Sequence, residues 1–146
     1  MNFLDISPEV AARVILQMHQ ITFLIVTAFV EVGAGLLLLC LPTVAFDLLL
    51  GVGQPSVEAR FVGRITGAAL FALGVISWLG RGDKQSPAQR GLLVGVLIYD
   101  VAAAVLLADA ALELRMAGIA LWPAVVLHTA LAGWCVACFR IDPAAA

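Results

Sequence analysis

Charged residues are scarce in this sequence. They make up 12% of its 146 residues, against about a quarter in an average soluble domain. Apolar residues make up 63% and the mean hydropathy is +1.08, which excludes an ordinary soluble globular domain. The net charge of −2 gives no electrostatic reason to expect nucleic acid as a partner. The partner that this composition predicts is the lipid bilayer.

Histidine and cysteine are also few. His19 and His128 form no i, i+4 pair of the kind that binds metal from one helix, so we expect neither a metal nor another cofactor. Cys135 and Cys138 form a C-x-x-C pair, which marks dithiol chemistry in soluble redox proteins. No second cysteine pair is present to pass electrons onward. We interpret the two cysteines as packing residues and keep thiol redox chemistry as an alternative.

Long hydrophobic runs, in contrast, dominate the chain. Four of them are close to the length that crosses a hydrocarbon core of about 30 Å. They cover residues 20–41, 61–79, 91–111 and 119–139. The remaining ends and loops are too short for a second folded unit. The sequence therefore predicts one all-α domain over residues 1–146, an integral membrane four-helix bundle.

The basic residues predict how this bundle is oriented. Four spans place both termini and the loop 81–90 on one side of the membrane. That side carries Arg13, Arg81, Lys84, Arg90 and Arg140, and the other side carries Arg60, Arg64 and Arg115. Under the positive-inside rule the richer side is cytoplasmic. We therefore predict a multi-pass protein of the cell inner membrane with both termini in the cytoplasm.

Two segments outside the spans have local character. Ser7 and Pro8 are typical of a helix start, with a serine N-cap and a proline in the first turn. The segment that follows either lies along the membrane interface or continues into the first span. The loop 42–59 is long and mostly apolar, and it either forms a short helix on the outer face or is an ordinary surface loop.

Four ionisable residues lie well inside the predicted spans, whereas Asp109 lies near the outer end of the third span and is predicted to be solvated. An ionised side chain at the bilayer centre costs about 2.5–3.5 kcal/mol on insertion scales, so such groups usually face the bundle interior. Helical spacing places each of them on a face that also carries small residues. We predict one ligand- or proton-binding cluster, in which Arg64 pairs with one acid and His128 with the other. Its members are Glu31, Arg64, Asp100 and His128, with Arg60, Thr27 and Tyr99 at its periphery.

Two resemblances to known families follow from short motifs. The segment Ala28-Phe-Val-Glu31-Val-Gly33 resembles the first helix of small multidrug-resistance transporters, which implies that Glu31 exchanges protons for a cationic molecule. The overall layout is similar to small four-helix bacterial membrane proteins grouped as DoxX-like, which implies a fold rather than an activity. The residues that carry this second resemblance are Pro42, Leu50-Gly51, Arg60, Arg64 and Gly67.

Three kinds of function remain open at this point. The first is binding, or proton-linked transport, of a small amphipathic or cationic molecule at the cluster. The second is an accessory subunit that docks a larger membrane complex or its own copies, with the polar groups as a structural lock. The third is a membrane enzyme that uses acid–base or thiol chemistry, although no residue is assigned as catalytic. A closed interior favours docking, and a pocket reaching the cluster favours the other two.

Overall fold

A computed structural model describes residues 7–83 and 86–140, and within these ranges the chain consists of helices joined by loops, with no strand. The helices are α1 (Pro8–Cys40), α2 (Pro42–Leu50), α3 (Val57–Gly80), α4 (Pro87–Leu112) and α5 (Leu121–Arg140). All except α2 contain a stretch long and apolar enough to cross a membrane. The prediction of an all-α chain is thereby confirmed for the described residues, and four of the helices have the length and composition of the predicted spans. Lys84, used above to predict orientation, lies outside the described residues.

The N-terminal end of α1 follows the predicted capping pattern. The Ser7 hydroxyl accepts a hydrogen bond of 3.4 Å from the Val10 N–H, and Pro8 occupies the first turn, where its missing N–H costs little. The helix continues without a break to Cys40. The segment after Pro8 therefore runs straight into the first span.

The loop 42–59 contains a short helix, as one of the two interpretations predicted. Helix α2 starts at Pro42 and ends at Gly51, which has φ +70°, a left-handed conformation that glycine adopts without strain. The carbonyl of Leu48 accepts a hydrogen bond of 2.9 Å from the N–H of Ala120. This bond attaches α2 to the segment that leads into α5.

Glycines bring α1 and α3 into backbone contact. A Cβ atom on Gly35 would lie 2.5 Å from the Phe71 nitrogen, and one on Gly67 would lie 2.6 Å from the Leu39 nitrogen. Such approaches are possible only without a side chain. Helix α1 packs mainly on α3 and helix α4 mainly on α5, while contacts between these two pairs are sparser. The four spans thus form two helix pairs.

The α1–α3 contact gives a stability prediction with a built-in control. We expect Gly35→Ala to destabilise the protein by about 1–3 kcal/mol, because the added methyl group meets backbone atoms that have no room to move. Gly33→Ala, two residues away on the same helix, places its methyl group where no atom lies within 4 Å, and should change stability by less than about 1 kcal/mol. Thermal unfolding in detergent measures both, and equal effects would contradict the packing described.

Candidate functional site

Three ionisable side chains converge between α1, α4 and α5. Glu31 and Asp100 have no solvent-exposed surface, and His128 is 8% exposed. One potential ligand atom from each residue lies within 4.8 Å of the other two. The structure therefore brings together three of the four residues that the sequence placed in one cluster. We refer to Glu31, Asp100 and His128 as the central cluster.

Helical periodicity explains why these side chains meet. On α1, the buried residues Gln20, Thr27, Glu31 and Gly35 form one stripe, because residues four apart share a helix face. On α4, Asp100 follows the buried Val96 by one turn. On α5, His128 shares its face with apolar residues that are also buried, namely Leu121, Leu131 and Cys135. Each helix thus turns its polar residue towards the interior rather than towards lipid.

The central cluster lies far from the helix ends. Asp100 is near the middle of α4, about 18 Å along the helix from its nearer end at a rise of 1.5 Å per residue. Glu31 is about 13 Å from the end of α1 at Cys40 by the same measure. If these helices cross a bilayer, the two carboxylates lie at hydrocarbon depth, where water is not at hand to solvate them.

One strong hydrogen bond exists inside the central cluster. His128 Nδ1 lies 2.8 Å from Asp100 Oδ1, and because an ionised carboxylate only accepts hydrogen bonds, Nδ1 donates. The Tyr99 ring meets the His128 ring edge-on, with centroids 5.5 Å apart. The Tyr99 side chain also makes a hydrogen-bond-type interaction with the Glu31 carboxylate, outside the geometry of a full hydrogen bond. Tyr99 therefore borders the site, as the sequence predicted.

Several oxygens of the site have no hydrogen-bond partner among the described residues. They are Thr27 Oγ1, both oxygens of Glu31, and Asp100 Oδ2, and all are buried. Thr27 has no exposed surface and lies one turn before Glu31 on the same face of α1. A buried polar group without a partner costs about 1–3 kcal/mol, and more if it is charged. The site is therefore rich in oxygen lone pairs that no neighbouring protein group satisfies.

The negative charge of the site is not balanced by the arginines that the sequence placed there. Arg64 is exposed, and across the described ranges 7–83 and 86–140 it makes no hydrogen bond or ion pair. Arg60 donates to the carbonyl of Pro55 at 3.3 Å, near the start of α3. The predicted pairing of Arg64 with a carboxylate is therefore wrong, and Arg60 is not at the periphery of the cluster. Among the side chains that the structure describes, His128 is the basic one that contacts an acid of the site.

Close glycine packing explains the position of Arg64. The buried residues of α3 are Gly63, Gly67, Leu70, Gly74 and Ser77, and this face has to point at α1 for the backbones to touch. Arg64 lies about 100° around the helix from the centre of that face. It also lies only about two turns from the start of α3, so its long side chain can reach the membrane surface.

The two C-x-x-C cysteines belong to the apolar core. Cys135 and Cys138 are buried, unbridged, and packed in one cluster with residues such as Phe23 and Leu93. The thiol of Cys135 donates to the Leu93 carbonyl at 3.4 Å. Gln20, which the sequence placed on the polar stripe of the first span but not in the site, donates to the Cys138 carbonyl at 3.5 Å. These contacts fit a packing role, and Gln20 was detectable because it shares the stripe of Thr27 and Glu31.

The grooves that the structure describes lie away from the central cluster. One is a wholly apolar groove between α1 and α3, bordered by Phe29, Phe71 and Trp78. A second lies between α2 and α3, and a third lies near the start of α4. None of the three is lined by Glu31, Asp100 or His128. An occupant of the central cluster therefore has to fit between side chains that already lie close together.

Neither a family model, nor a curated protein, nor a solved structure matches this chain. The resemblances to small multidrug-resistance transporters and to DoxX-like proteins therefore stay predictions. The inference of function accordingly starts from the chemistry of the central cluster.

Proposed function

We propose that this protein binds a small cation at the central cluster and carries it across the membrane in exchange for protons. The observation that supports this proposal is the set of buried oxygens without hydrogen-bond partners on Thr27, Glu31 and Asp100. Lone pairs of this kind, held inside an apolar bundle, are what a cation or a proton binds. The cationic ligand predicted from the sequence fits this chemistry better than an amphipathic one, since the apolar groove of Phe29 and Trp78 does not include the acids.

None of the three grooves reaches the central cluster, and this closed interior is the feature that favours an accessory subunit with a polar lock. A lock, however, stabilises a bundle only when its members satisfy one another, because a half-satisfied network is worse than an apolar core. Glu31 contributes two buried oxygens and no hydrogen bond. The docking and enzymatic roles predicted from the sequence remain hypotheses, and the unpaired carboxylate favours cation binding over both.

Charge balance links the cation to protons. The central cluster holds two carboxylates and one imidazole, so with both acids ionised it carries a negative charge that the bilayer interior does not tolerate. Either a bound cation or protons on the acids restores neutrality. A cation that enters the cluster therefore displaces protons, and one that leaves is replaced by them.

Flux through liposomes tests this function. The full chain is reconstituted with a pH-sensitive dye inside, and Zn²⁺, Mn²⁺, K⁺ or tetraphenylphosphonium is added outside. We expect at least one of these cations to drive proton efflux in the wild type and in Arg64→Gln, whose arginine lies outside the cluster. Glu31→Gln should lose the efflux. The proposal would be overturned if none of the four cations drives proton efflux, or if the Glu31→Gln variant still shows proton efflux.

We also propose the inner membrane as the location, with both termini in the cytoplasm. The excess of basic residues on the terminal side supports this orientation. At that side Arg81 stacks on the Trp78 ring at 3.8 Å and donates to the Trp78 carbonyl, an arrangement typical of an interfacial anchor. Reporter fusions after Ala146 and within the loop 81–90 should both report cytoplasm, and a periplasmic signal from either would reverse the orientation.

A further inference from the structure

The central cluster has the composition and spacing of a site for one metal ion. We propose that its ligand is a single divalent transition-metal ion of the class that takes nitrogen and oxygen ligands, such as Zn²⁺ or Mn²⁺. The proposal rests on the proposed function and specifies the cation. It also reverses the expectation, drawn from the absence of a histidine pair on one helix, that the protein holds no metal.

Distance is the first argument. The potential ligand atoms of Glu31, Asp100 and His128 all lie within 4.8 Å of one another. An ion bound by His128 Nδ1 would replace the hydrogen bond of that atom to Asp100 Oδ1. Ligands on one Zn²⁺ lie about 3–4 Å from each other, because each bond is about 2.0–2.2 Å long. Side-chain shifts of less than about 1 Å would therefore bring all three onto one ion.

Charge is the second argument. Two carboxylates and a neutral imidazole sum to −2, so a divalent ion makes the loaded site neutral, as a buried site at hydrocarbon depth requires. A monovalent inorganic or organic cation would leave one negative charge uncompensated. The two arginines that the sequence placed at the site do not supply the missing charge, because Arg64 is exposed and Arg60 is bound to the Pro55 carbonyl.

The chemical type of the ligand atoms narrows the choice of metal ion further. Imidazole and carboxylate together suit zinc, manganese and iron, whereas copper(I) prefers thiolate and thioether sulfur. The buried thiol of Cys135 is already hydrogen-bonded to Leu93 and is not part of the cluster. Ca²⁺ sites are built from oxygen ligands, so a cluster that includes the His128 imidazole favours a transition-metal ion.

Further oxygens complete the site. Thr27 Oγ1 is also buried without a partner, one turn before Glu31 on the same face of α1, and we assign it as a further ligand of the ion. Both Glu31 oxygens are likewise unpartnered. These are observations independent of the clustering of acids, and they distinguish a binding site from acids that merely neutralise each other.

The experiment measures metal binding by the full chain in detergent after treatment with a chelator. Co²⁺ replaces Zn²⁺ as a visible probe, because its absorption spectrum reports the ligands, and Zn²⁺ is then titrated to displace it. We expect one ion per chain and a spectrum without a thiolate charge-transfer band. Glu31→Gln and His128→Leu should each weaken binding by at least about 100-fold, while Arg64→Gln should leave it unchanged.

Thr27→Val provides a second variant, chosen because it preserves side-chain shape and removes no charge. It should weaken binding by about tenfold while the fold, followed by circular dichroism, is retained. A rise in the unfolding temperature of the wild type on addition of Zn²⁺ supplies a readout that does not depend on any variant folding.

The outcomes separate the two proposals. A thiolate band, or binding that persists in both Glu31→Gln and His128→Leu, would place the metal elsewhere and overturn the inference. A second possible result is that the protein binds neither Co²⁺ nor Zn²⁺ and still shows Glu31-dependent proton efflux on addition of tetraphenylphosphonium or K⁺. That result would overturn the proposal of a metal ligand and support the proposed exchange of a cation for protons. Absence of both metal binding and proton efflux would overturn the metal-site proposal and the cation-exchange proposal together.

Discussion

Glu31→Met is expected to make the protein more stable and at the same time inactive. Glu31 has no exposed surface, and neither of its oxygens has a hydrogen-bond partner in the described part of the chain. Methionine has a similar volume and no polar group to desolvate. Replacing buried charges by apolar residues of similar size often stabilises by about 1–4 kcal/mol, and insertion scales give a similar figure for one charge in a membrane. We expect a gain within that range.

The measurement pairs unfolding in detergent with proton efflux from liposomes. A structural lock predicts the opposite sign, because removing a member of a satisfied network leaves its partners unpaired. Gln20→Leu is a suitable contrast on the same stripe of α1: its amide does make a hydrogen bond, to the Cys138 carbonyl, so its loss should destabilise. A Glu31→Met protein that is less stable than the wild type would show that Glu31 serves the fold.

The second large effect concerns the pair of Asp100 and His128. His128→Leu removes the only hydrogen-bond partner of Asp100 Oδ1 and leaves a buried carboxylate with neither oxygen paired. Breaking a buried pair in this way typically costs about 3–5 kcal/mol. We expect a loss of that order for His128→Leu and a much smaller net loss when Asp100→Leu is added.

A double-mutant cycle measures the coupling. The two single variants and the double variant are compared by thermal unfolding, and the sum of the single losses should exceed the loss of the double variant by at least about 1 kcal/mol. The parallel cycle of Glu31→Met with Arg64→Met is the control, since Arg64 lies outside the cluster, and it should be additive. Additivity in the first cycle would show that the 2.8 Å contact does not hold the bundle together.

Most of the fold could be predicted from hydropathy because the bilayer imposes a length on every span. The sequence left open whether the segment Pro42–Leu50 is a helix or a loop. A segment of nine apolar residues is too short to cross the bilayer, so the span length does not determine its structure. Its helical state depends on tertiary contacts, such as the bond between Leu48 and Ala120. Contacts between distant parts of the chain leave no local signal.

The part of the candidate site that could be predicted follows from the free-energy cost of placing a charged side chain in a membrane. That cost identified Glu31, Asp100 and His128, each of which lies too deep for its short side chain to reach the surface. The same rule failed for Arg64, because an arginine about two turns from a helix end can extend its charged group to the interface. Residue spacing along one helix could not reveal that three potential metal ligands meet, since they come from three different helices.

The arrangement of the spans as two helix pairs has a consequence for biosynthesis. Chains are made from the N-terminus and assemble in that order, so α1 and α3 enter the membrane before α4 and α5 exist. Their glycine contacts are already complete at that stage, but Glu31 still lacks Asp100 and His128. A nascent or truncated chain that stops before α4 therefore carries a buried acid without either counterpart, and only the completion of α5 supplies the second of them.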